Sequence, residues 1–289
     1  MSGLITIGKP PWSREDITAS IDEFSDLYAK RPIKDNQGGM KAPHMFAVWF
    51  MARKLNPDLI VESGVWKGQS TWLLEQACPN SRLICIDIDL KHRTYISKTA
   101  TYSDREFCEH DWPSLSVSDR SLVFFDDHQN AYVRLQQCKW FGFRHIIFED
   151  NYPVTQGNCY SLKKVFANAG FEPANSQQRT SNIGFADNFR RRLAKVLRIS
   201  PITPTLQYSR TKIAPNKIDS QLLREQLDVY YEFPPVFKTA KTRWGDDWSE
   251  SSYPTPEPLL DRVTKSTHKV FFDEAEFYTW ICYAKLHAG

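Results

Sequence analysis

The sequence lacks the features that mark zinc-binding, secreted and membrane-spanning proteins. Its six cysteines are scattered without a C-x-x-C pair, and several lie inside apolar runs. We therefore expect reduced core thiols rather than zinc ligands or disulfides. No long uncharged apolar segment occurs, and Met1 is not followed by a basic start and an apolar stretch. These absences predict no transmembrane segment and a cytoplasmic location.

An excess of charge of one sign is also missing. The chain has 37 Lys and Arg residues against 34 Asp and Glu residues, a formal net charge of +3. This balance is too even to attract nucleic acid or an anionic membrane strongly. The one basic run, at 190–198, could be an amphipathic helix for a phosphorylated substrate, an anionic lipid surface or nucleic acid. It stands outside any recognisable nucleic-acid-binding module, and the favoured interpretation is a solvated helix face. We expect no nucleic-acid partner.

What is present is a repeated pattern of short apolar strand, polar turn and helix that begins near residue 59. This pattern is typical of a parallel sheet covered by helices on both faces. The chain of 289 residues is long enough for one large α/β domain with a smaller cap. A homo-oligomer is compatible with it but not needed for folding. The predicted strands are 59–62, 83–87, 106–109, 121–126, 145–149, 229–233 and 278–286.

The expected fold is α/β, with a Rossmann-like, doubly wound and mostly parallel sheet of seven strands. We divide the chain into an N-terminal helical segment at 1–57, a core at 58–170, an inserted cap or lid at 171–228, and the last strands with an aromatic loop insertion at 229–289. Within the first segment, helical spacing predicts one amphipathic helix that begins after Ser13 and ends near Arg31, and a second from His44 to Leu55.

The first predicted strand leads into a turn that runs from Glu62 to Ser70. Gly64 and Gly68 let the backbone of such a turn pack closely against a bound cofactor before the next helix begins at Ser70. The spacing differs from G-x-G-x-x-G, and the turn lacks the close glycine pair that admits a pyrophosphate. Taken alone, the two glycines could equally well only close a turn between strand and helix.

Acidic residues end the next two predicted strands. The second strand ends at Asp87, about twenty residues after the turn, where a carboxylate can accept hydrogen bonds from ribose hydroxyls. The third ends in His110-Asp111-Trp112. There Asp111 could accept from an adenine amino group and Trp112 could lie against the adenine ring, although an acid at this place is also a common turn residue.

Acids follow the fourth and fifth predicted strands as well. Asp126 and Asp127 follow the fourth strand, and Glu149, Asp150 and Asn151 follow the fifth. The carboxyl ends of neighbouring parallel strands face one ligand crevice, and oxygen ligands that converge there suit Mg²⁺ or Mn²⁺. The alternative is that Asp127 and Asp150 cap the segments that follow them.

The region 58–170 resembles the class I S-adenosylmethionine (SAM) methyltransferases, and most closely their metal-dependent O-methyltransferase branch, which includes catechol and macrolide-sugar O-methyltransferases. Its turn is similar to the E-x-G-x-x-x-G-x-S form of those enzymes and of the cephalosporin-hydroxylase-like relatives. The resemblance implies metal ligands at Asp126 or Asp127 and at the pair Asp150-Asn151. It implies a cofactor site formed by Glu62, Gly64, Gly68, Gln69, Ser70, Asp87, Asp111 and Trp112.

The residues after the first metal acid depart from the family pattern. Catechol-type enzymes have a lysine there as the candidate base, whereas this chain has His128. We predict His128 and Asp126 as the catalytic residues, with a histidine held structurally at a strand end as the alternative. In such a site the cation would bind two substrate oxygens and lower the pKa of the hydroxyl to be methylated.

The resemblance implies a SAM-dependent O-methyltransferase for a small hydroxylated or glycan-derived acceptor. The glycan hypothesis rests on Tyr152, Tyr160 and the aromatic residues mixed with acids and arginine at 230–235 and 243–248, because sugar rings stack on aromatic faces while their hydroxyls bond to carboxylates. Two alternatives stay open. One is a methyltransferase-fold enzyme with hydroxylase-like chemistry, and the other is a non-catalytic glycan-binding module.

Overall fold

A computed structural model describes residues 4–154, 156–170, 216–245, 247–248 and 254–288. Its strands are β1 (Leu59–Ser63), β2 (Arg82–Ile86), β3 (Thr101–Ser103), β4 (Ser121–Phe125), β5 (His145–Phe148), β6 (Leu227–Glu232) and β7 (Cys282–Leu286). They form one seven-stranded sheet in the order β3-β2-β1-β4-β5-β7-β6. Strands β1 to β5 are parallel, and β7 is antiparallel to β5 and β6. The predicted α/β, doubly wound and mostly parallel sheet is confirmed.

Helices cover both faces of the sheet. They are α1 (Arg14–Ala19), α2 (Ile21–Tyr28), α3 (Ala42–Leu55), α4 (Gln69–Ala77), α5 (Ala131–Phe141), α6 (Leu162–Phe166), α7 (Lys217–Gln226) and α8 (Lys269–Asp273). None of these helices, in the described part of the chain, combines the length and apolarity that crossing a lipid bilayer requires.

The apolar pattern of the central strands explains this layering. In β4, Leu122 and Phe124 pack into the core on the side of α3 and α4, whereas Val123 and Phe125 pack into the core on the side of α5 and α6. Successive side chains of a strand point to opposite faces. A strand that is apolar on both faces therefore belongs in the middle of a covered sheet. The carboxyl end of β4 accordingly lies midway along the row of strand ends.

The N-terminal segment differs from the single amphipathic helix that the sequence predicts. Ser20 interrupts it: the Ser20 amide donates to the carbonyl of Ile17 at 3.1 Å, and its hydroxyl donates to the carbonyl of Asp16 at 2.9 Å. A serine that bonds back to the preceding turn competes with continued helix. The prediction of one helix is therefore wrong, and α2 begins immediately after the break. The second predicted helix is confirmed as α3.

The third strand lies earlier in the chain than predicted. Thr101–Ser103 pairs with β2, whereas Phe107–Glu109, predicted as a strand, is a single 3-10 turn. The side chain of Glu106 bonds to the backbone at Glu109, and that of Glu109 bonds back to the amide of Glu106. This reciprocal capping satisfies the amides locally and favours a turn over a strand.

The predicted cap at 171–228 falls mostly outside the described residues. Residues 171–215, including the basic run at 190–198, are not among them. Helix α7 begins at Lys217, packs against α6 and leads directly into β6. The division of the chain at 58, 171 and 229 stays a prediction.

The outer edge of the sheet pairs at one position with a residue near the start of the chain. The amide of Ile7 donates to the carbonyl of Tyr230 at 3.1 Å, and the amide of Tyr230 donates to the carbonyl of Ile7 at 3.0 Å. At Tyr230, strand β6 therefore has backbone partners on both sides.

Candidate active site

Two adjoining cavities lie at the carboxyl ends of the parallel strands. The larger, about 330 Å³, is at the ends of β1, β2 and β4. The smaller, about 110 Å³, lies towards the end of β5 and the start of α3. The cavities share four lining residues, namely Gly38, Gly39, Asp126 and His128. Both cavities thus reach one point after β4, where the sequence predicts a site.

The glycine turn approaches the loop after β4 very closely. Gly64 has φ +97°, and a Cβ on it would lie 2.2 Å from the carbonyl oxygen of Asp126. Gly68 has φ +87°, and a Cβ on it would lie 2.3 Å from the carbonyl oxygen of Tyr95. Only glycine fits both the positive φ and these approaches. Gly64 lines the larger cavity, while Gly68 packs against protein backbone instead.

Asp87 fastens this turn to the end of β2. Its Oδ2 accepts from the amides of Val65 and Trp66 at 2.9 and 3.0 Å, and its Oδ1 accepts from the amide of Asp89 at 2.9 Å. Asp87 also lines the larger cavity. Because a carboxylate offers about four lone-pair positions, it retains acceptor capacity on the cavity side.

Three residues predicted to serve the cofactor lie behind the turn rather than along the cavity. Glu62 is fully buried and accepts from the Thr71 hydroxyl at 2.6 Å. Burial raises the pKa of Glu62 to about 7. The side-chain carbonyl of Gln69 accepts from the amide of Ile33 at 3.1 Å, and Ser70 is buried. These contacts brace the turn from within the protein.

Asp111 and Trp112 are not brought to the cavity. Trp112 has no exposed surface, and its indole N–H donates to the carbonyl of Phe107 at 2.8 Å. The Asp111 carboxylate accepts from the Ser114 hydroxyl. The suggested adenine contacts therefore do not fit this structure. The local turn that displaces the third strand also turns these two residues away.

Arg134 and Glu106 line the larger cavity instead, and no sequence pattern predicted either as a site residue. Arg134, on α5, is buried and donates to Asp127 at 2.9 Å and to Glu106 at 3.0 Å. A buried guanidinium that binds two carboxylates fixes both of them. No local pattern marks this arrangement, because the three residues are separated along the chain and meet only in the fold.

A cluster of three titratable side chains lies where the two cavities meet. Asp126, His128 and Asp150 each offer a ligand atom, and these atoms all lie within 4.8 Å of one another. Nδ1 of His128 is 2.7 Å from Oδ2 of Asp150. His128 has φ +54°, a backbone conformation that is sparsely populated outside glycine and that often marks functional sites.

The charges in this cluster oppose one another. Burial, reinforced by Glu149 and Asp150, raises the pKa of Asp126 well above its usual value. Contact with Asp150 raises the pKa of His128 to about 10. Burial opposes ionisation of Asp150, but its contacts with His128, Glu149 and Tyr152 together outweigh burial and hold its pKa below the usual value. His128 therefore carries a proton at neutral pH, the opposite of what a general base needs.

Asp127 and Asn151, two of the predicted metal ligands, are engaged elsewhere. Oδ2 of Asp127 accepts from Arg134 and from the Ser63 hydroxyl, the latter at 2.8 Å. The amide nitrogen of Asn151 donates to the Tyr230 hydroxyl at 2.8 Å, and its oxygen accepts from the amide of Lys163 at 3.0 Å. Of Asp126 and Asp127, which follow β4, only Asp126 belongs to the cluster. Asn151, which follows β5, is not part of it.

Glu149 forms a further buried pair that sequence reasoning missed. Its Oε1 lies 2.5 Å from Nδ1 of His44, whose Nε2 accepts from the amide of Thr279 at 2.9 Å. Because Nε2 accepts, the neutral ring carries its proton on Nδ1 and donates to Glu149. Burial lowers the pKa of His44 to about 4 and, together with Asp150, raises that of Glu149 well above its usual value. His44 and Glu149 line the smaller cavity.

The ligand atoms of the cluster fit a divalent cation that accepts both oxygen and nitrogen ligands. Neither carboxylate oxygen of Asp150 receives a hydrogen bond of good geometry, although both are buried. Two carboxylates and one imidazole match Mn²⁺ better than Mg²⁺, which prefers oxygen ligands alone. A metal ligand must be deprotonated, so His128 would give up its proton when a cation binds.

The aromatic residues expected to bind a glycan divide into two groups. Tyr230 and Phe233 are buried in the core, so the segment 230–235 offers no sugar platform. Trp244 remains 38% exposed. It stacks on Trp280 at 6.2 Å between ring centroids and meets Tyr152 edge to face at 5.8 Å. Only this second group lies near the smaller cavity, through Tyr152.

Solved structures similar to this chain have low sequence identity to it and low TM-scores. No protein-family model and no curated protein matches the sequence. A candidate O-methyltransferase from Klebsiella pneumoniae is 11% identical over 94% of this chain and 90% of its own, with a TM-score of 0.41. The O-methyltransferase TomG from Streptomyces achromogenes, involved in tomaymycin synthesis and solved with SAM, is 16% identical over 64% of this chain and 85% of its own, with a TM-score of 0.35.

A third similar structure is a cofactor-bound protein from MTB, 18% identical over 46% of this chain, with a TM-score of 0.34. The chain spans 65% of the length of that protein. Likeness at these identities and TM-scores does not assign an activity to the chain. A functional proposal therefore depends on the cavities and the residues between them.

Proposed function

We propose that the chain is a SAM-dependent O-methyltransferase, assisted by a divalent cation, that acts on a hydroxylated small molecule. The observation that carries this proposal is the junction of the two cavities at Asp126 and His128. A methyl donor in the larger cavity and an acceptor in the smaller one would meet at these residues. Methyl transfer needs this kind of alignment more than it needs a covalent catalyst.

The walls of the larger cavity support a nucleoside-type cofactor. Its volume of about 330 Å³ is within the range of about 300–1,000 Å³ for ligand pockets. Asp87 would accept from ribose hydroxyls with its remaining lone pairs. Trp66, 42% exposed and tilted against His92 at 4.9 Å, adds an aromatic wall. The loop carrying Gly38 is held over this wall, since the Trp66 indole N–H donates to the carbonyl of Gln37 at 3.1 Å.

The cluster at the junction supports assistance by a cation. Asp126, His128 and Asp150 would hold it, with Mn²⁺ as the favoured ion. When bound, the cation would attract the acceptor oxygens and make the hydroxyl more acidic. Of the metal ligands predicted from sequence, this proposal keeps Asp126 and Asp150 and omits Asp127 and Asn151. His128, predicted as a base, becomes the third ligand.

Proton removal is better assigned to Glu149 than to His128. Glu149 lines the acceptor cavity, and a carboxylate whose pKa is raised by burial accepts a proton near neutral pH more readily than a solvated one. The N–H of His44 holds one of its oxygens, and Asp150 also contacts the Glu149 carboxyl. Glu149 would then take the hydroxyl proton as the acceptor oxygen attacks the methyl group.

The proposal is tested by titrating the purified chain with SAM and with S-adenosylhomocysteine, with and without Mn²⁺. Micromolar binding of both is expected. Asp87→Ala should weaken binding at least tenfold with the fold intact, whereas the neighbouring Asp89→Ala serves as the matched control. Lack of binding by the wild-type protein under every condition would exclude a methyltransferase. Equal affinity in Asp87→Ala would remove Asp87 from the site.

A further inference from the structure

The smaller cavity has two cationic side chains at one wall. Lys41 and Arg243 both line it, and both lie over the ring of Phe277, with the Lys41 ammonium 5.7 Å and the Arg243 guanidinium carbon 5.8 Å from the ring centroid. The two residues are 202 positions apart in the chain and reach this ring from different segments. The ring keeps both charges at the edge of the cavity instead of leaving them free in solvent.

Neither cation has an acidic partner within ion-pair distance among the described residues. The nearby carboxylates are engaged by other groups. Glu274, next to the start of α3, accepts from the Tyr28 hydroxyl at 2.8 Å and from the amide of Ala42 at 2.7 Å. Glu149 is held by His44. Arg243 acts on Glu149 from beyond ion-pair distance. Two positive charges without a direct ion pair at the wall of a small cavity favour the binding of an anionic group there.

We propose that the acceptor is a hydroxylated molecule that also carries a carboxylate or phosphate group, which Lys41 and Arg243 bind. This inference rests on the proposed function for the identity of the cavity as the acceptor site. The planar guanidinium of Arg243 can bind two oxygens of such a group at once, and Lys41 supplies a second point charge. The anionic group at this wall would direct the hydroxyl towards Asp126 and Glu149.

The size of the cavity limits what part of the acceptor enters it. A volume of about 110 Å³ is close to the cavity of about 150 Å³ that holds a benzene ring. It accommodates one ring or a short polar chain with its anionic group. A larger acceptor would place only its reactive end here.

The test compares probes that differ only in the anionic group. The first pair is 3,4-dihydroxybenzoate and 3,4-dihydroxybenzamide, and the second is glucose 6-phosphate and glucose. Binding is measured by calorimetry with Mn²⁺, with and without S-adenosylhomocysteine. In at least one pair the anionic member should bind about tenfold to a hundredfold more tightly, the range expected for a charge-assisted contact. The pair that responds tells carboxylate from phosphate.

Variants then tie this preference to the two cations. Arg243→Gln and Lys41→Gln should each reduce it to threefold or less. Arg262→Gln and Lys139→Gln, at exposed positions outside the cavity, should retain it, and thermal unfolding checks that all four variants fold. A preference that survives in Arg243→Gln overturns the inference, as does failure of all four probes to bind at millimolar concentration.

Failure of the proposed function would look different from failure of this inference. SAM and S-adenosylhomocysteine would then fail to bind, while the probe titrations without cofactor would still report on Lys41 and Arg243. Conversely, tight binding of SAM with no distinction between anionic and neutral probes would leave the methyltransferase in place and overturn only the assignment of the acceptor.

Discussion

Nδ1 of His128 lies 2.7 Å from Oδ2 of Asp150, with Asp126 as the third member of the cluster. The imidazolium supplies a positive charge to a buried carboxylate, and a cation held by Asp126, His128 and Asp150 would supply that charge instead once His128 had lost its proton. Proton and metal are therefore alternative partners of the same two acids. This explains how two acids can face each other at the junction of two cavities in a folded protein.

We expect Asp150→Asn and Asp126→Asn each to weaken Mn²⁺ binding about a hundredfold or more. The reason is that loss of a direct ligand should exceed the tenfold to hundredfold effect of removing an outer contact. Calorimetric titration with Mn²⁺ measures the change, and Asp89→Asn, which alters a half-buried acid outside the cluster, is the control. Wild-type affinity in Asp150→Asn would exclude the cluster as the metal site.

Asn151→Ala is expected to destabilise the protein without removing the metal site. It leaves the buried Lys163 amide without its acceptor and removes one donor to the Tyr230 hydroxyl, which keeps its bond to Glu232. The free energy of unfolding should fall by about 1–3 kcal/mol. Urea denaturation gives the stability, and Mn²⁺ titration should give an affinity within threefold of wild type. Loss of Mn²⁺ binding in a folded Asn151→Ala protein would restore Asn151 as a ligand.

Gly64→Ala is expected to lower the free energy of unfolding by about 3 kcal/mol or more. The new Cβ would collide with the backbone of Asp126, and alanine would also have to adopt a positive φ. Gly245→Ala is the matched control, since Gly245 has φ +85° but nothing within 4 Å of a Cβ. Its free energy of unfolding should fall by only about 1–2 kcal/mol, the cost of holding alanine at a positive φ. Equal losses in urea denaturation would show that the close approach at Gly64 is easily relieved.

Glu62 should make stability depend on pH. Burial raises its pKa from 4.5 to about 7, so between these values the folded protein keeps a proton that the unfolded chain releases. The free energy of unfolding therefore falls as pH rises from about 4.5 to about 7, by up to about 3 kcal/mol. Below about pH 4.5 Glu62 makes its full contribution to the free energy of unfolding, and above about pH 7 that contribution is lost.

Glu62→Gln should remove this dependence. The difference between wild-type and variant stabilities, measured by urea denaturation from pH 4 to pH 8, should decline through the window and then become level. The exposed Glu276→Gln is the control. Parallel wild-type and Glu62→Gln curves would mean that Glu62 ionises in the fold as freely as it does in water.

The sheet could be predicted from the sequence because its signals are local. Each central strand is a short apolar run followed by an acid, as in Val61-Glu62 and Phe125-Asp126, and burial on both faces is visible in the run itself. The error at the third strand is local as well. The reciprocal capping of Glu106 and Glu109 competes with strand pairing, and apolar pattern alone does not reveal it.

The site could be predicted only in part, because contacts between distant residues decide it. The sequence places two acids after β4 but cannot choose between them. Arg134, on the following helix, binds Asp127 and so leaves Asp126 to the cluster. The pairing of His44 with Glu149 joins residues 105 positions apart, and no spacing indicates it. Strand ends could thus be located from sequence, whereas the partner of each acid could not.

The pairing of Ile7 with Tyr230 has a practical consequence for handling the protein. Without the first nine residues, the outer side of β6 would present unpaired amides and carbonyls, and such an edge is a template for intermolecular strand addition and aggregation. The opposite edge, β3, is only three residues long and offers little to a second molecule. Truncations that begin after Lys9 lose the backbone partner of Tyr230, and we expect them to be less soluble than the full chain.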